Sequence, residues 1–348
     1  MFSFLRPYIF TLDPEAAHDL AINSLKFNIL PKSFFHVQDE ELLETSLFNN
    51  TIANPIGLAA GFDKSAEVYN SLFKLGFGFV EVGTVTPKRQ LGNPKPRIFR
   101  LEDDQALINR LGFNNHGSEI IFNRISKNSP DGLLGINIGP NKDTKNKAED
   151  YFSCLSKLSI NTGYITINIS SPNTEGLRSF HQSNEMEKLL VGIEKIKMKK
   201  NIKQAIVLKI SPDINEGEIS SILDLTFKYN IQGLIISNTT DRNREGLKDT
   251  KKKEKGGLSG QPLKEISTNL IRKFYKETQG KIKIIGVGGV DSGKTAFEKI
   301  SAGADVIQLY TGMVYKGPGI VKEIKKELIS ILKKENLNNI SKAVGINT

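Results

Sequence analysis

The stretch Tyr164-Ile165-Thr166-Ile167-Asn168-Ile169-Ser170-Ser171-Pro172-Asn173-Thr174 reads as a buried strand that runs straight into a polar loop. Apolar and β-branched residues alternate through Ile167, which is the strand signal. Hydroxyls and carboxamides then follow, with Pro172 fixing the loop between them, so the strand ends in donors, acceptors and a possible base. Working outward, comparable apolar runs recur at 55–61, 77–84, 133–139, 205–211, 233–238, 282–287 and 305–310. Amphipathic stretches at 146–161, 184–200, 215–230, 262–279 and 291–302 lie between them. This alternation predicts an α/β chain folded as a closed parallel (β/α)8 TIM barrel. An open doubly wound sheet is the alternative, but units of nearly equal size favour closure. There is no internal repeat and no low-complexity linker.

A barrel demands that chemically able residues sit at the C-terminal ends of its strands. Along the chain those ends read Ala60-Gly61-Phe62-Asp63-Lys64, Gly83-Thr84, Asn137, Asn168 to Asn173, Lys209, Ser237-Asn238-Thr239, Gly288-Gly289 and Tyr310-Thr311. Asparagine or glycine at one strand end is only a turn residue. The same kind of residue at every strand end points to a site. Lys209 follows Val207-Leu208 in a strand buried on both faces, where a cation requires an anion or acceptors. Lys64 is read in the same way. Gly256-Gly257-Leu258-Ser259-Gly260 and Gly286-Val287-Gly288-Gly289 offer backbone N–H groups to a phosphate, which the late loops of this fold often bind.

Charged residues at 25% and hydrophobic ones at 38% exclude a disordered chain. The single cysteine, Cys154, excludes a disulfide framework and any metal cluster held by several cysteines of this chain. It sits in a helical pattern and is expected to be a core thiol rather than a nucleophile. The net charge of +10 comes from lysine runs at 195–203, 248–255 and 322–334. Their helical spacing favours solvated outer faces over a nucleic-acid surface, so no nucleic-acid partner is expected. No run approaches the roughly 18 apolar residues that span a bilayer. Asp13, Glu15 and Asp19, with no small-residue cleavage site, argue against a secretory or transit signal.

The heptad Asn168 to Thr174 resembles the catalytic motif of the dihydroorotate dehydrogenases, flavin enzymes that make orotate for pyrimidine synthesis. Serine at 171, in place of cysteine, resembles their quinone-linked class 2 branch. The resemblance runs from about residue 1 to 335, with Ser237 where the family often has threonine. It implies one FMN per chain, held by Ala60, Gly61, Phe62, Asp63, Lys64, Thr84, Asn137, Asn168, Lys209, Ser237, Gly260, Gly289, Tyr310 and Thr311. It implies dihydroorotate bound by Lys64, Asn109, Arg110, Leu111, Gly112, Phe113, Asn168, Asn173, Asn238 and Thr239. Carboxamides suit the ureide edge of such a ligand, because each both donates and accepts. Ser171 becomes the base. A free serine is too weak an acid to act unaided, so Thr174 is the expected relay to solvent through a water. His181 is ranked well below Ser171, and no metal is expected.

Two further segments matter. Gly288-Gly289-Val290-Asp291-Ser292-Gly293-Lys294-Thr295 fits the spacing of a nucleotide-binding P-loop. It lies late in the chain and no carboxylate closes the next strand, so ATP is not expected there. Residues 1–36 read as two short helices, with Pro7 interrupting the first and Asp13-Pro14-Glu15 starting the second. Leu20, Ala21, Ser24 and Leu25 are expected on one face, with Phe27 and Ile29 beyond. The segment is either a cap on the barrel bottom or an apolar hood that lies on a bilayer and admits a quinone. Asp13-Pro14-Glu15-Ala16-Ala17-His18 resembles the class 2 pattern, which implies the hood. The resulting expectation is a monomer with an N-terminal quinone- and membrane-associating segment (1–36) and an FMN-binding barrel (37–348). It would lie peripherally on the cytoplasmic face of a bacterial inner membrane. All the expected chemical residues lie beyond position 60, so loss of the hood is expected to spare flavin reduction. Three alternatives are a class 1 enzyme using fumarate or NAD, a tRNA dihydrouridine synthase and a non-catalytic phosphate-binding barrel. The first is disfavoured by Ser171 and the second by the position of Cys154.

Overall fold

The computed structural model describes residues 2–27, 40–174 and 176–348. Phe2–Thr11 (α1) and Pro14–Lys26 (α2) form the two N-terminal helices. Asp13 caps α2 as expected, its carboxylate accepting from the N–H groups of Glu15 (2.9 Å) and Ala16 (3.1 Å). Two details differ from the sequence reading. Helix α1 runs on through Pro7. The inward face of α2 is set by Ile22 and Leu25, whereas Leu20 is 51% exposed. Ile29 and the expected boundary at 36 lie outside the described residues.

An antiparallel hairpin of Thr45–Leu47 (β1) and Asn50–Ile52 (β2) comes next. The barrel begins with Ile56–Leu58 (β3) and Phe79–Val85 (β4); an excursion then carries Ile98–Leu101 (β5) and Ala106–Asn109 (β6). It continues with Leu133–Ile138 (β7), Tyr164–Asn168 (β8), Ala205–Lys209 (β9) and Gly233–Ile236 (β10). A second excursion holds Gly257–Gly260 (β11), before Lys283–Val287 (β12) and Val306–Leu309 (β13). The closed ring is β10-β12-β13-β3-β4-β7-β8-β9, and its neighbours pair in parallel. All its members coincide with predicted strands. The helices that follow the barrel strands are Tyr69–Phe73 (α3), Ser118–Lys127 (α4), Lys147–Leu158 (α5), Ser183–Lys200 (α6) and Glu216–Lys228 (α7). They continue with Lys264–Thr278 (α8), Gly293–Ser301 (α9), Thr311–Lys316 (α10) and Ile320–Lys334 (α11). Helices α5 to α9 fill the predicted amphipathic stretches. Lys325, within the lysine run of α11, is buried rather than solvated.

Leu47 and Ile52 pack on Phe79, Leu133, Tyr164, Ala205 and Val306, the first residues of β4, β7, β8 and β9 and of β13. The β1–β2 hairpin therefore plugs the N-terminal end of the barrel. At the other end, β5, β6 and β11 form a small antiparallel sheet around Leu101, Ile108, Leu247 and Leu258. The N-terminal helices dock on that sheet and on α10, not on the barrel bottom. Arg97 makes a two-pronged contact with Glu15 (2.6 and 3.1 Å), and Arg100 donates to the carbonyls of Phe10 (3.1 Å) and Leu12 (3.0 Å). Phe10 meets Tyr315 of α10 edge-on, with ring centroids 5.6 Å apart.

Candidate active site

Side chains at the C-terminal ends of parallel strands point into one space because every strand runs the same way. Here that space is a cleft of about 1160 Å³, measured out to its open mouth and roofed by the small sheet. Its floor is a polar network. Glu81 of β4, fully buried, accepts from Asn137 Nδ2 (2.8 Å), Tyr164 OH (3.0 Å), Thr166 Oγ1 (3.2 Å) and Gln308 Nε2 (3.1 Å). Asn137 Oδ1 accepts from Thr84 Oγ1 (2.6 Å) and Asn168 Nδ2 (3.1 Å), and Asn168 Oδ1 accepts from Ser170 Oγ (3.1 Å) and Asn238 Nδ2 (3.3 Å). Such a network holds its members in one geometry because each polar group has a partner.

Three groups above the floor are left available to a ligand. Lys209, buried at the end of β9, donates no hydrogen bond to the described residues; burial pushes its pKa down while the charge of Glu81 holds it up. Gln308 Oε1 is buried without a partner, although its Nε2 is engaged. Ser171 Oγ accepts from the Asn173 N–H (3.3 Å), and its own proton finds no acceptor among the described residues. Asn173 Nδ2 in turn donates to the Asn109 carbonyl (3.0 Å), tying the loop after β8 to the small sheet.

Of the expected residues, Ala60, Gly61, Lys64, Thr84, Asn168, Lys209, Ser237, Gly260, Gly289, Tyr310 and Thr311 line this cleft. So do Asn109, Leu111, Gly112, Phe113, Ser171, Asn173, Asn238 and Thr239. Phe113 is held there with φ at 53°, a strained conformation of the kind found at ligand sites. Others stand back from the wall. Arg110 turns away to Glu254 (2.8 Å) and to the carbonyls of Lys255 (3.0 Å) and Pro96 (2.9 Å), fastening the lysine-rich loop to the roof. Asp63 accepts from the N–H groups of Glu67 and Val68 (both 2.8 Å), and with Phe62 it faces a side cleft against α2. Asn137 belongs to the floor. Thr174 is buried three residues beyond Ser171 and is not part of the wall. Sequence reasoning missed Gln308, Ser259, Ile98 and Leu107, which also line the cleft. The signal for Gln308 was present as the one polar residue in Val306-Ile307-Gln308-Leu309.

Lys64 lines both the main and the side cleft, and its Nζ lies 3.2 Å from Nε2 of His18 on α2. Burial lowers His18 to about 3 and Lys64 to about 8, so at neutral pH the imidazole is neutral and accepts from the ammonium. His181 is buried, lowered by burial to about 4, and accepts from the Ser211 N–H (3.4 Å), away from the wall. Cys154 is a buried core thiol whose pKa burial raises. At the P-loop-like sequence, Ser292 and Thr295 cap α9 between them, and the Gly293 N–H donates to Glu327 (2.5 Å). The N–H groups of Asp291, Ser292, Gly293 and Thr295 and the Thr295 hydroxyl are thus engaged within the protein.

The cleft suits a ligand that carries an anionic group. It offers a buried cation and a carboxamide oxygen without hydrogen-bond partners among the described residues, and glycines with left-handed φ at Gly260 (99°) and Gly289 (71°). A Cβ at Gly260 would fall 2.4 Å from the Gln105 carbonyl oxygen, so only glycine allows this close approach.

Residues 42–332 match the family model for dihydroorotate dehydrogenase. The chain belongs to the dihydroorotate dehydrogenase family. It is 45% identical over 345 residues to the mitochondrial dihydroorotate dehydrogenase (quinone) of Mus musculus, covering 96% of this chain and 87% of that one. The dihydroorotate dehydrogenase (quinone) of Bartonella henselae is 46% identical over 340 residues, covering 96% and 93%. The crystal structure of the Eimeria tenella DHODH in complex with ferulenol superposes with a TM-score of 0.92 at 38% identity, covering 96% of each chain. The barrel, the paired N-terminal helices and the cleft are therefore those of a dihydroorotate dehydrogenase fold.

Proposed function

We infer that this chain oxidises dihydroorotate to orotate, within pyrimidine synthesis, and passes the electrons to a quinone. The observation that carries the reading is Ser171, whose hydroxyl proton has no acceptor among the described residues, on the same cleft wall as Lys209, which donates no hydrogen bond to them. FMN, when bound, supplies the acceptor for the hydride that leaves C6 of the substrate. The chain's own residues do the rest. Asn109, Asn168, Asn173 and Asn238 present carboxamides to the ureide edge, and Lys64 offers a cation to the substrate carboxylate. Ser171 Oγ takes the proton from C5, so the ring gains its double bond as C–H bonds at C5 and C6 break. Thr174, the next hydroxyl beyond Ser171, takes the proton onward. Lys209 would supply positive charge beside the flavin ring, and Gly260, Gly289, Tyr310 and Thr311 would hold its phosphate.

Helices α1 and α2 form the quinone entrance and rest peripherally on the cytoplasmic face of a bacterial inner membrane, with the protein acting as a monomer. No described helix is long and apolar enough to cross a membrane, and the exposed Phe4, Leu5 and Tyr8 support a surface-lying role. Steady-state orotate formation tests the reading. Turnover is expected with a benzoquinone carrying an alkyl tail and not with fumarate or NAD. Turnover with fumarate or NAD alone would overturn the quinone assignment.

A further inference from the structure

Behind the wall that carries Gly288 and Gly289, one lysine is wholly enclosed. Lys299 of α9 is 0% exposed. Its Nζ donates to the carbonyl of Lys264 (3.3 Å), to Ser267 Oγ (3.1 Å) and to Thr268 Oγ1 (3.0 Å). An ammonium has three protons to give and accepts nothing, so these contacts saturate it. It forms no ion pair among the described residues; the nearby Glu265 and Glu298 instead pair with Lys264 Nζ (3.2 and 3.6 Å). Methionine or leucine would fill this space without the desolvation that a buried charge suffers. Burial lowers the Lys299 pKa to about 7, so it is the three hydrogen bonds, rather than the charge alone, that call for an account.

All three acceptors belong to the first turns of α8. Ser267 Oγ reaches, in turn, the carbonyls of Val287 and of Ile236 (3.4 Å), the last residues of β12 and β10. The residues that follow, Gly288 and Ser237, are in the wall of the cleft. The glycine loop presses on the same turns. A Cβ at Gly288 would meet Leu263 and Ser267 side chains at 3.1 Å, and one at Gly289 would sit 2.8 Å from Lys264 Cα. The loop can therefore be no better placed than the helix behind it.

We propose that Lys299 is a positioning residue for the phosphate of the flavin nucleotide, pinning the start of α8 against β10 and β12 and so setting the Gly288–Gly289 loop. The inference rests on the reading that the cleft holds FMN with its phosphate at that loop. Ser267 is the second member of the device, since it passes the constraint from Lys299 to the two strand ends.

The test uses the full-length chain, stripped of flavin and titrated with FMN and, separately, with riboflavin, which lacks only the phosphate. The unaltered chain is expected to bind FMN far more tightly. Lys299→Met is expected to weaken FMN binding on the order of tenfold, the scale of one lost charged hydrogen bond, while riboflavin affinity stays the same. Ser267→Ala is expected to give a smaller loss with the same selectivity, and it decides the matter where Lys299→Met does not fold. Equal loss for both flavins, or an unchanged FMN to riboflavin ratio, would overturn the proposal. An unaltered chain that does not prefer FMN to riboflavin would remove the phosphate reading itself.

Discussion

The barrel mouth and the N-terminal helices break the same packing rule in opposite directions. At the mouth, Asn168, Ser171, Thr84 and Lys209 are buried and polar. On the helices, Phe4 (80%), Tyr8 (76%) and Phe27 (76%) are apolar and exposed. Buried polar groups and grouped exposed aromatics are the informative departures from ordinary packing, since a lone exposed leucine is commonplace. The first departure makes a place for a polar ligand, and the second makes a face for an apolar surface. The two regions meet at several contacts, and one of these, from Lys64 to His18, enters the cleft itself.

The largest expected effect falls at the mouth. Ser171→Ala should slow anaerobic flavin reduction by about 10²- to 10⁴-fold, the usual worth of a positioned base. Orotate affinity should hold, because the asparagines bind the ring and the hydroxyl acts only as the proton leaves. Stopped-flow reduction set beside orotate titration separates the two, and an unchanged rate would move the base elsewhere.

The next effect belongs to the helices alone. Replacing Phe4 and Tyr8 with serine should weaken binding to lipid vesicles by about 10²- to 10⁴-fold, given about 1.5–3 kcal/mol for burying each large apolar side chain. Flavin reduction by dihydroorotate should stay at its normal rate, and turnover with a long-chain quinone should fall. Full vesicle binding in that variant would remove the membrane role from these helices.

His18→Leu probes the bridge between the regions, and the expected effect is smaller. A neutral imidazole that accepts from Lys64 favours the ammonium, so its loss lowers the lysine pKa. The kcat/KM for dihydroorotate should fall as pH rises through about 8, where Lys64 gives up its proton. In the variant that falling limb should move to lower pH by about 0.7 of a pH unit, the worth of one hydrogen bond. The expectation that removing the hood spares flavin reduction is sharpened accordingly: Lys64 lies beyond position 60, but its acceptor does not. A superimposable pH profile would make the contact incidental. Smallest of all, thiol reagents should leave flavin reduction unchanged, since Cys154 is buried and its thiol pKa is raised.

Much of the mouth was legible because its signals are local. Each barrel strand announces itself in a short apolar run, and the ends at Lys209 and at Asn168 to Asn173 carry their chemistry beside it. The roof was not legible, because β6 pairs with β11 across about 150 residues of chain and no local pattern foretells that pairing. The direction in which a side chain points was hidden for a related reason. Arg110 sits between Asn109 and Leu111, both in the wall, yet Glu254 draws it outward. Asp63 is claimed by two backbone N–H groups of its own turn. Leu20 of α2 faces outward and Ile22 inward because only the docked barrel decides which face turns inward.

The spectrum of the purified protein under anaerobic dihydroorotate tests the central claim most directly. The account predicts flavin absorption bands that bleach on addition of the substrate, with one orotate formed per flavin. A protein that shows no such bands after FMN is supplied, or whose bands persist in excess dihydroorotate, would contradict it.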